Sequence, residues 1–190
     1  LARKLGERWE RHFGTMAASH GLVFTPHQIV CGTGESAAAY GQENGQWKTY
    51  LLPDVTVWTA PGEHHEIKHK ERDNQFCYGL ERYRLDALVG WANKTRQRVC
   101  YTIHDYNDAC GQLQYYPIAA ETDTPNDIRH WWCADILNLA QKNTRVNPND
   151  TSLINGRLRS PVEVVYWRRS EFFRPLRELW TPPDIPRQRR

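Results

Sequence analysis

The sequence predicts an α/β domain in which helices cover a mixed central sheet. Three observations carry that expectation: an amphipathic helix at the start, two extended runs joined by a tight turn near residues 60–62, and a second helix that feeds an alternating strand at 98–104. Apolar residues make up 39% of the 190 residues and charged residues 25%, a globular balance in a chain long enough for one core. Residues 1–180 are expected to form that single domain. Residues 181–190 carry three prolines and close on Arg187-Gln188-Arg189-Arg190, so they are expected to be a poorly ordered tail.

The elements follow in order. Residues 2–20 read as a helix, because Leu5, Trp9, Phe13 and Met16 recur at helical spacing and Gly21 stands where a helix C-terminal glycine belongs. Leu22 to Phe24 suggests a short strand, and residues 32–45, rich in Gly, Ser, Ala, Glu and Asn, read as a loop. Lys48 to Trp58 is rich in β-branched and aromatic residues. After the turn Ala60-Pro61-Gly62, His64 to Lys70 runs extended again, which makes an antiparallel hairpin. Residues 71–78 read as a loop. A helix is expected from Gly79 to Lys94, with Leu80, Ala87, Leu88 and Trp91 inward, followed by the strand Arg98 to His104 with Val99, Tyr101 and Ile103 alternating. Residues 114–120 form a weaker strand candidate. Thr124-Pro125 is expected to open a third helix reaching Gln141. Residues 143–156 read as loop, 162–167 as strand, and a short amphipathic helix then runs through Leu179.

The formal charge is +3, from 25 basic and 22 acidic residues, which permits nucleic-acid binding without demanding it. Five cysteines, an odd number without a CxxC pair, speak against a disulfide scaffold and a four-cysteine zinc site. Reduced thiols, the lack of an apolar run of membrane-spanning length and the lack of a signal-like start suggest a cytoplasmic protein without membrane attachment. Because the chain opens on Leu1, the last of these points covers only the residues given.

The informative stretch is Pro53-Asp54-Val55-Thr56-Val57-Trp58, then seven residues, then Glu66-Ile67-Lys68. Successive strand side chains point to opposite faces, so Glu66 and Lys68 share a face while Ile67 turns to the core. Asp54 lies opposite in sense to Val55 and Val57. If Trp58 pairs near His64, Asp54 comes across from Lys68 and the three side chains form one cross-strand cluster, which a one-residue slip would destroy. Two carboxylates can hold a magnesium ion and leave positions for water and a phosphate oxygen, and a neighbouring lysine can orient the water or neutralise developing charge. An ordinary surface Glu–Lys arrangement is the plainer alternative.

With these residues in view, the segment resembles the PD-(D/E)xK nuclease superfamily, with its restriction-endonuclease-like fold; the motif stands as Pro53-Asp54 … Glu66-Ile67-Lys68. Gly6-x-x-x-Glu10, with Gly21 ending the helix, is similar to that family's first helix, where a glutamate often completes the metal site. The resemblance assigns that place to Glu10, with Glu7 as its alternative. Residues 2–104 resemble the αβββαβ core, and the remainder would be C-terminal additions. The resemblance implies metal-dependent cleavage of nucleic acid, with Asp54, Glu66, Glu10 and the main-chain carbonyl of Ile67 around Mg2+, Mn2+ being able to substitute. Some branches carry Gln and Tyr on the following helix. Here the comparable stretch is Glu81-Arg82-Tyr83-Arg84, a departure that argues against an exonuclease branch.

Lys70, Arg72, Arg82 and Arg84, with Tyr83, are candidate DNA contacts, and Tyr78 a candidate cleft residue. His64, His65 and His69 flank Glu66, but Glu66 and Lys68 need no histidine for magnesium, a cysteine–histidine zinc site lacks partners at suitable spacing, and His65 should face away. Gly32-Thr33-Gly34 lacks the rest of a phosphate loop. Trp131-Trp132-Cys133 reads as core, and Cys133 has no base beside it for a thiol nucleophile. The leading expectation is a DNA endonuclease, possible as a homodimer. Its rivals are a silent nucleic-acid-binding module of the same fold and an RNA-cleaving nuclease.

Overall fold

The structure, a computed structural model, describes residues 2–27, 38–58, 62–70, 72–105, 107–108, 128–151, 153–154, 157–158 and 160–180, with the backbone alone at 2–8, 38–41, 153–154 and 157–158. The strand candidate at 114–120, the Gly32-Thr33-Gly34 fragment and the tail at 181–190 lie outside the described residues. So do Cys31, Cys110 and the side chains of Leu5 and Glu7.

Helix α1 (Ala2–Ser19) forms where the periodicity places it. Trp9, Phe13, Met16 and Ala17 lie on one stripe and are buried. Gly21 ends the helix at φ +74°. Its N–H donates to Ala18 O at 3.0 Å and the Leu22 N–H to Ala17 O at 3.0 Å, a Schellman pair that satisfies carbonyls the helix would leave open. Next come β1 (Val23–Pro26), β2 (Ala38–Glu43), β3 (Gln46–Leu51), β4 (Val55–Trp58), β5 (Glu63–Lys70), β6 (Cys77–Glu81), helix α2 (Arg82–Thr95) and β7 (Arg98–Asp105). The second half holds a 3-10 turn (Ile128–His130), β8 (Trp131–Asp135), helix α3 (Ile136–Gln141), β9 (Arg145–Asp150), β10 (Leu153–Ile154), β11 (Arg157–Leu158) and β12 (Val162–Arg168). A helical turn α4 (Arg169–Phe172), β13 (Arg174–Pro175) and a last short helix α5 (Leu176–Trp180) follow.

The central sheet has six strands in the order β1-β4-β5-β7-β8-β13. Its β5–β7 pair is parallel and its other pairs are antiparallel, so the sheet is mixed. Taken with α1 and α2, the sheet's first four strands run α1-β1-β4-β5-α2-β7, the expected αβββαβ order. A separate three-stranded sheet, β6-β12-β9, stands beside α2, and β2–β3 forms its own hairpin. The central sheet buries both faces. On one, Val55, Val57, Ile67, Trp131 and Cys133 pack with α1; on the other, Val99, Tyr101, Ile103 and Ala134 pack with α2 and α3. Burial on two sides leaves β7 buried from Val99 to Asp105, its polar Thr102, His104 and Asp105 included.

Several expectations need correction. The loop expected at 32–45 contains β2 from residue 38, and Asn44 (φ 52°) and Gly45 (φ 75°) form the turn to β3. Both central residues have positive φ, the requirement of the tight hairpin turn that Asn-Gly favours. The run Lys48 to Trp58 is two strands, broken at Leu52-Pro53-Asp54, where proline has no N–H to give a ladder. Gly79 and Leu80 belong to β6 and not to the helix, and the loop expected at 71–78 yields its last two residues to that strand. Gly79 faces Tyr166 across the ladder, where a Cβ would come within 2.7 Å of the tyrosine ring.

The helix expected from Thr124 to Gln141 is mostly not one. Trp131 to Asp135 is strand β8 on the free edge of β7, and α3 begins only after Asp135, whose carboxylate accepts from Leu137 N at 2.9 Å. Residues 124–127 lie outside the description. Trp131 and Cys133 are buried toward α1 while Ala134 and Ile136 are buried toward α2, so alternation and an open sheet edge override local helix preference. The loop expected at 143–156 contains β9 and β10. The helix expected to run to Leu179 is interrupted at Phe173, which is buried, and by the short strand ending at Pro175. The strand at 162–167 stands as expected.

Phe13 is fully buried between α1 and the sheet, with ring neighbours His65, Trp131 and Trp180 at 4.8–5.5 Å. Phe13→Ala is expected to cost about 3–5 kcal/mol of stability, read as a lower urea midpoint at unchanged slope.

Candidate active site

β4 and β5 pair as Val55↔His65, Thr56↔His64 and Val57↔Glu63. That register is two residues from the one the sequence suggested, so Asp54 lies near Glu66 and not opposite Lys68. A two-residue shift keeps every side chain on its face, whereas a one-residue shift would have turned Asp54 to the wrong side. Asp54, Glu66 and Lys68 therefore still meet.

Their meeting point is defined by the Lys68 ammonium. Nζ donates to Glu66 Oε1 at 2.6 Å, to the Ile67 carbonyl at 3.2 Å and to Asp54 Oδ2 at 3.4 Å. Asp54 is fixed from β5 itself, since the Ile67 N–H donates to its Oδ2 at 2.7 Å. Two carboxylate oxygens and a main-chain carbonyl thus surround one cation. The Glu66 side chain is 1% exposed, Asp54 13% and Lys68 33%, so the cluster opens to solvent on the Lys68 side.

Arg84, in the first turn of α2, completes the arrangement. Its Nε donates to Glu66 Oε1 at 3.0 Å and its Nη2 pairs with Glu66 Oε2, a two-pronged hold. Nη2 also donates to Leu52 O at 3.0 Å and lies 4.0 Å from Asp54 Oδ1. Sequence reasoning placed Arg84 among possible DNA contacts; the structure places it inside the cluster. Its approach depends on how α2 lies against β5, which no spacing in the chain reveals.

The two carboxylates differ electrostatically. Burial and the charge of Glu66 push the Asp54 carboxyl above its ordinary range, against the pull of Lys68, the Ile67 N–H and Arg84. Burial acts in the same direction on Glu66, but Lys68 and Arg84 outweigh it and hold that carboxyl below its ordinary range. Burial would lower Lys68, yet Asp54 and Glu66 raise it, so it is a cation at neutral pH. Among the described residues no three His, Cys, Asp or Glu side chains converge as a metal site. The oxygen set here is two carboxylates plus a carbonyl, the donor type a hard cation such as Mg2+ takes.

The other sequence candidates are placed as follows. Glu10 is half-buried on α1, beside Trp9, and α1 covers the sheet face opposite Glu66 and Lys68. Arg72 pairs with Asp105 at 3.2 Å and with Asp108 at 3.4 Å, and Arg82 with Glu163 at 2.6 Å. Lys70 is half-buried at the end of β5, and Tyr83 is 62% exposed at the start of α2. Tyr78 does not line a cleft; it is fully buried, with its hydroxyl bonded to Asp105. His65 faces away from Glu66, bonding Thr102 Oγ1 at 2.8 Å and lying 3.1 Å from Glu63. His69 stacks on Trp9, with ring centres 4.2 Å apart. Cys77, Cys100 and Cys133 are free and buried, and burial pushes the Cys133 thiol up to about 12, which removes it as a nucleophile.

Sequence reading missed a polar chain beside the cluster. The Thr56 hydroxyl lies 2.8 Å from His27 Nε2 and 2.7 Å from His64 Nδ1, and His64 Nε2 reaches Gln97. His27 also donates its main-chain N–H to Asp54 O at 2.8 Å. Burial first, then the neighbouring His64, lowers the His27 pKa; burial likewise lowers that of His64, so both rings are neutral at pH 7. Thr56 and His64 share the strand parity of Asp54 and Glu66, which was a readable signal; His27 had none.

No protein-family model matches the chain, and no curated protein matches it in sequence. Among solved structures it is similar to Hjc, a Holliday junction resolvase from the archaeal hyperthermophile Archaeoglobus fulgidus, with a TM-score of 0.49 and 11% identity over 92% of this chain and 94% of that one. At that identity no residue role carries over. No helix among the described residues is long and apolar enough to cross a membrane.

The unequal carboxylates give a stability test. The lowered Glu66 pKa contributes stability above its unfolded value of about 4.3, lost as pH falls through the folded value. The raised Asp54 pKa has the opposite sign: its charge costs stability at pH 7. At pH 7, Glu66→Gln is expected to destabilise by about 3 kcal/mol or more, because Lys68 and Arg84 lose their partner. Asp54→Asn is expected to leave stability unchanged or raised. Urea midpoints of the two variants decide this.

Proposed function

We propose that this chain is a divalent-metal-dependent nuclease that hydrolyses phosphodiester bonds within DNA. One observation carries the reading: Asp54 Oδ2, Glu66 Oε1 and the Ile67 carbonyl converge on a single cation, the Lys68 ammonium. Two carboxylates and a carbonyl gathered within reach of one ammonium are the oxygen donors that Mg2+ takes, with Mn2+ as a substitute. The cluster does not fit a histidine-bound zinc, because His65 and His69 face α1 and His64 is engaged by Thr56 and Gln97.

Asp54 and Glu66 would hold the ion, with the Ile67 carbonyl as a third ligand; Glu10, which α1 carries over the opposite face of the sheet, is not among them. Bound there, the ion supplies Lewis-acid polarisation of the phosphate and a more acidic water. The chain's own part is electrostatic positioning. Lys68 remains charged, is tethered by Glu66 and faces the open side, where it can hold the attacking water or offset charge building on the phosphate. The Ile67 N–H keeps the Asp54 carboxylate turned toward the cluster. Lys70 and Tyr83 are the proposed DNA contacts outside the cluster, together with Arg84 inside it; Arg72 and Arg82 reach DNA only by leaving their acidic partners.

A second reading, a nucleic-acid-binding module without cleavage, is favoured by the hold of Arg84 on both Glu66 oxygens. Cleavage assays on linear, circular, single-stranded and branched DNA, and on RNA, with Mg2+, Mn2+ or a chelator, separate the readings. The expected result is DNA cleavage that requires metal and falls at least about 100-fold in Asp54→Asn and in Lys68→Met, with both variants folded by circular dichroism. Unimpaired cutting by pure Asp54→Asn would remove the metal-site assignment; metal-independent binding without any nicking would establish the module.

A further inference from the structure

We infer that Arg84 closes the metal site in the free protein and must move from Glu66 to a DNA phosphate for the ion to enter, so that metal and DNA bind together. The inference rests on the nuclease reading and names how that site is regulated.

The first argument is geometric. Each Glu66 oxygen is engaged: Oε1 accepts from Lys68 and from Arg84 Nε, and Oε2 from Arg84 Nη2. An ion that takes Glu66 as a ligand has to displace at least one of these donors. Lys68 is bound at the same time to Asp54 and to the Ile67 carbonyl, through its own strand. Arg84 comes from α2 on a long side chain, and its one tie besides the carboxylates is Leu52 O. Among the described residues it is also the one donor on Glu66 Oε2, so an ion that takes that oxygen displaces Arg84 and leaves Lys68 in place.

The second argument is charge. Asp54 and Glu66 contribute two negative charges, and Lys68 and Arg84 two positive ones, so the free cluster is formally neutral. A dication gains little from a neutral, largely buried site and leaves it at +2. A phosphodiester brings a negative charge to the same place. A guanidinium matches two phosphate oxygens as well as it matches two carboxylate oxygens, so DNA offers Arg84 an equivalent partner and frees Glu66. Lys68 is 33% exposed, Arg84 12% and Glu66 1%, so a phosphate that enters on the Lys68 side reaches the Arg84 guanidinium before the Glu66 carboxylate. By thermodynamic reciprocity, whatever DNA does to metal affinity, metal does to DNA affinity.

Mn2+ binding to the full chain, measured by electron paramagnetic resonance of the free ion, tests this without any turnover. The titration is run alone and with short phosphorothioate-linked duplex or branched DNA, with DNA alone as the blank. The wild type is expected to bind Mn2+ at least about tenfold more tightly with DNA than without it. Arg84→Gln is expected to bind Mn2+ alone about tenfold more tightly than the wild type and to lose most of the gain from DNA. A wild type that binds Mn2+ equally well with and without either DNA overturns the inference even if Arg84→Gln does not fold. So does a folded Arg84→Gln that binds Mn2+ more weakly than wild type. Cleavage by the wild type judges the nuclease reading separately: cutting combined with DNA-independent Mn2+ binding sinks the Arg84 gate alone, whereas neither cutting nor Mn2+ binding under any condition sinks both.

Discussion

Glu66 is a carboxylate held almost wholly out of water in the middle of the sheet, and its surroundings are arranged to keep it charged. A buried ion without partners would cost several kcal/mol, so the fold must deliver cations to it. Lys68 comes from the same strand two residues on, which alternation guarantees. Arg84 comes from α2, which the strand β6 and the parallel β5–β7 crossover bring over that face. Ile67, between the two charged residues, turns to the other side and packs under α1 with Val55 and Val57. One short segment of β5 therefore serves the apolar core on one face and the polar cluster on the other. The β4–β5 register ties Asp54 to both.

The legibility of the sequence follows from this division. Whatever depended on period was readable: the α1 stripe of Trp9, Phe13 and Met16, the alternation of Val99, Tyr101 and Ile103, and the shared face of Glu66 and Lys68. The exact register was not, because apolar patterning fixes strand pairing only up to steps of two residues, and the observed pairing is one such step from the expected one. The cluster survived because its logic used parity alone. Trp131 to Asp135 failed for another reason. Its two tryptophans, cysteine and alanine suit a buried helix as well as a buried strand, and only the vacant edge of β7 decides between them. At Asn44-Gly45 the local signal was present and was outweighed by the polar composition around it.

A second charged cluster shows how the C-terminal half is attached. Asp105, fully buried at the end of β7, accepts from the Tyr78 hydroxyl and from Arg169 at 3.1 Å, and lies 3.2 Å from Arg72. Asp108 adds Arg169 at 2.6 Å and the Trp132 indole N–H at 2.8 Å, while the Arg169 guanidinium lies over the Trp132 ring at 4.3 Å. These contacts join the central sheet to β6 and to the turn after β12. Arg72 and Arg169 have carboxylates to satisfy here, and for that reason the basic residues after β5 do not form one continuous phosphate-binding stripe. The partners of Asp105 are drawn from separate strands and turns, which is why composition and spacing gave no hint of them.

The comparison of the two clusters bears on which one does chemistry. At Asp105 the Arg72 and Arg169 guanidinium groups are each also paired with Asp108, and the group is closed to water on the Asp105 side. At Asp54 the balance is unfinished: its carboxyl is held above the ordinary range because burial strips its hydration and Glu66 repels it, and its ion pairs with Lys68 at 3.4 Å and Arg84 at 4.0 Å are the longest in the cluster. Structural ion clusters are settled in this way by maximal pairing, whereas a site that works on an anion must keep an acid whose charge is under-compensated until a ligand arrives. Once Arg84 has left, a cation placed beside Asp54 would replace repulsion with attraction and turn a carboxylate that is costly to charge into a binding contribution. The electrostatic penalty at Asp54 and the proposed affinity for a metal ion are thus two aspects of the same arrangement of charge.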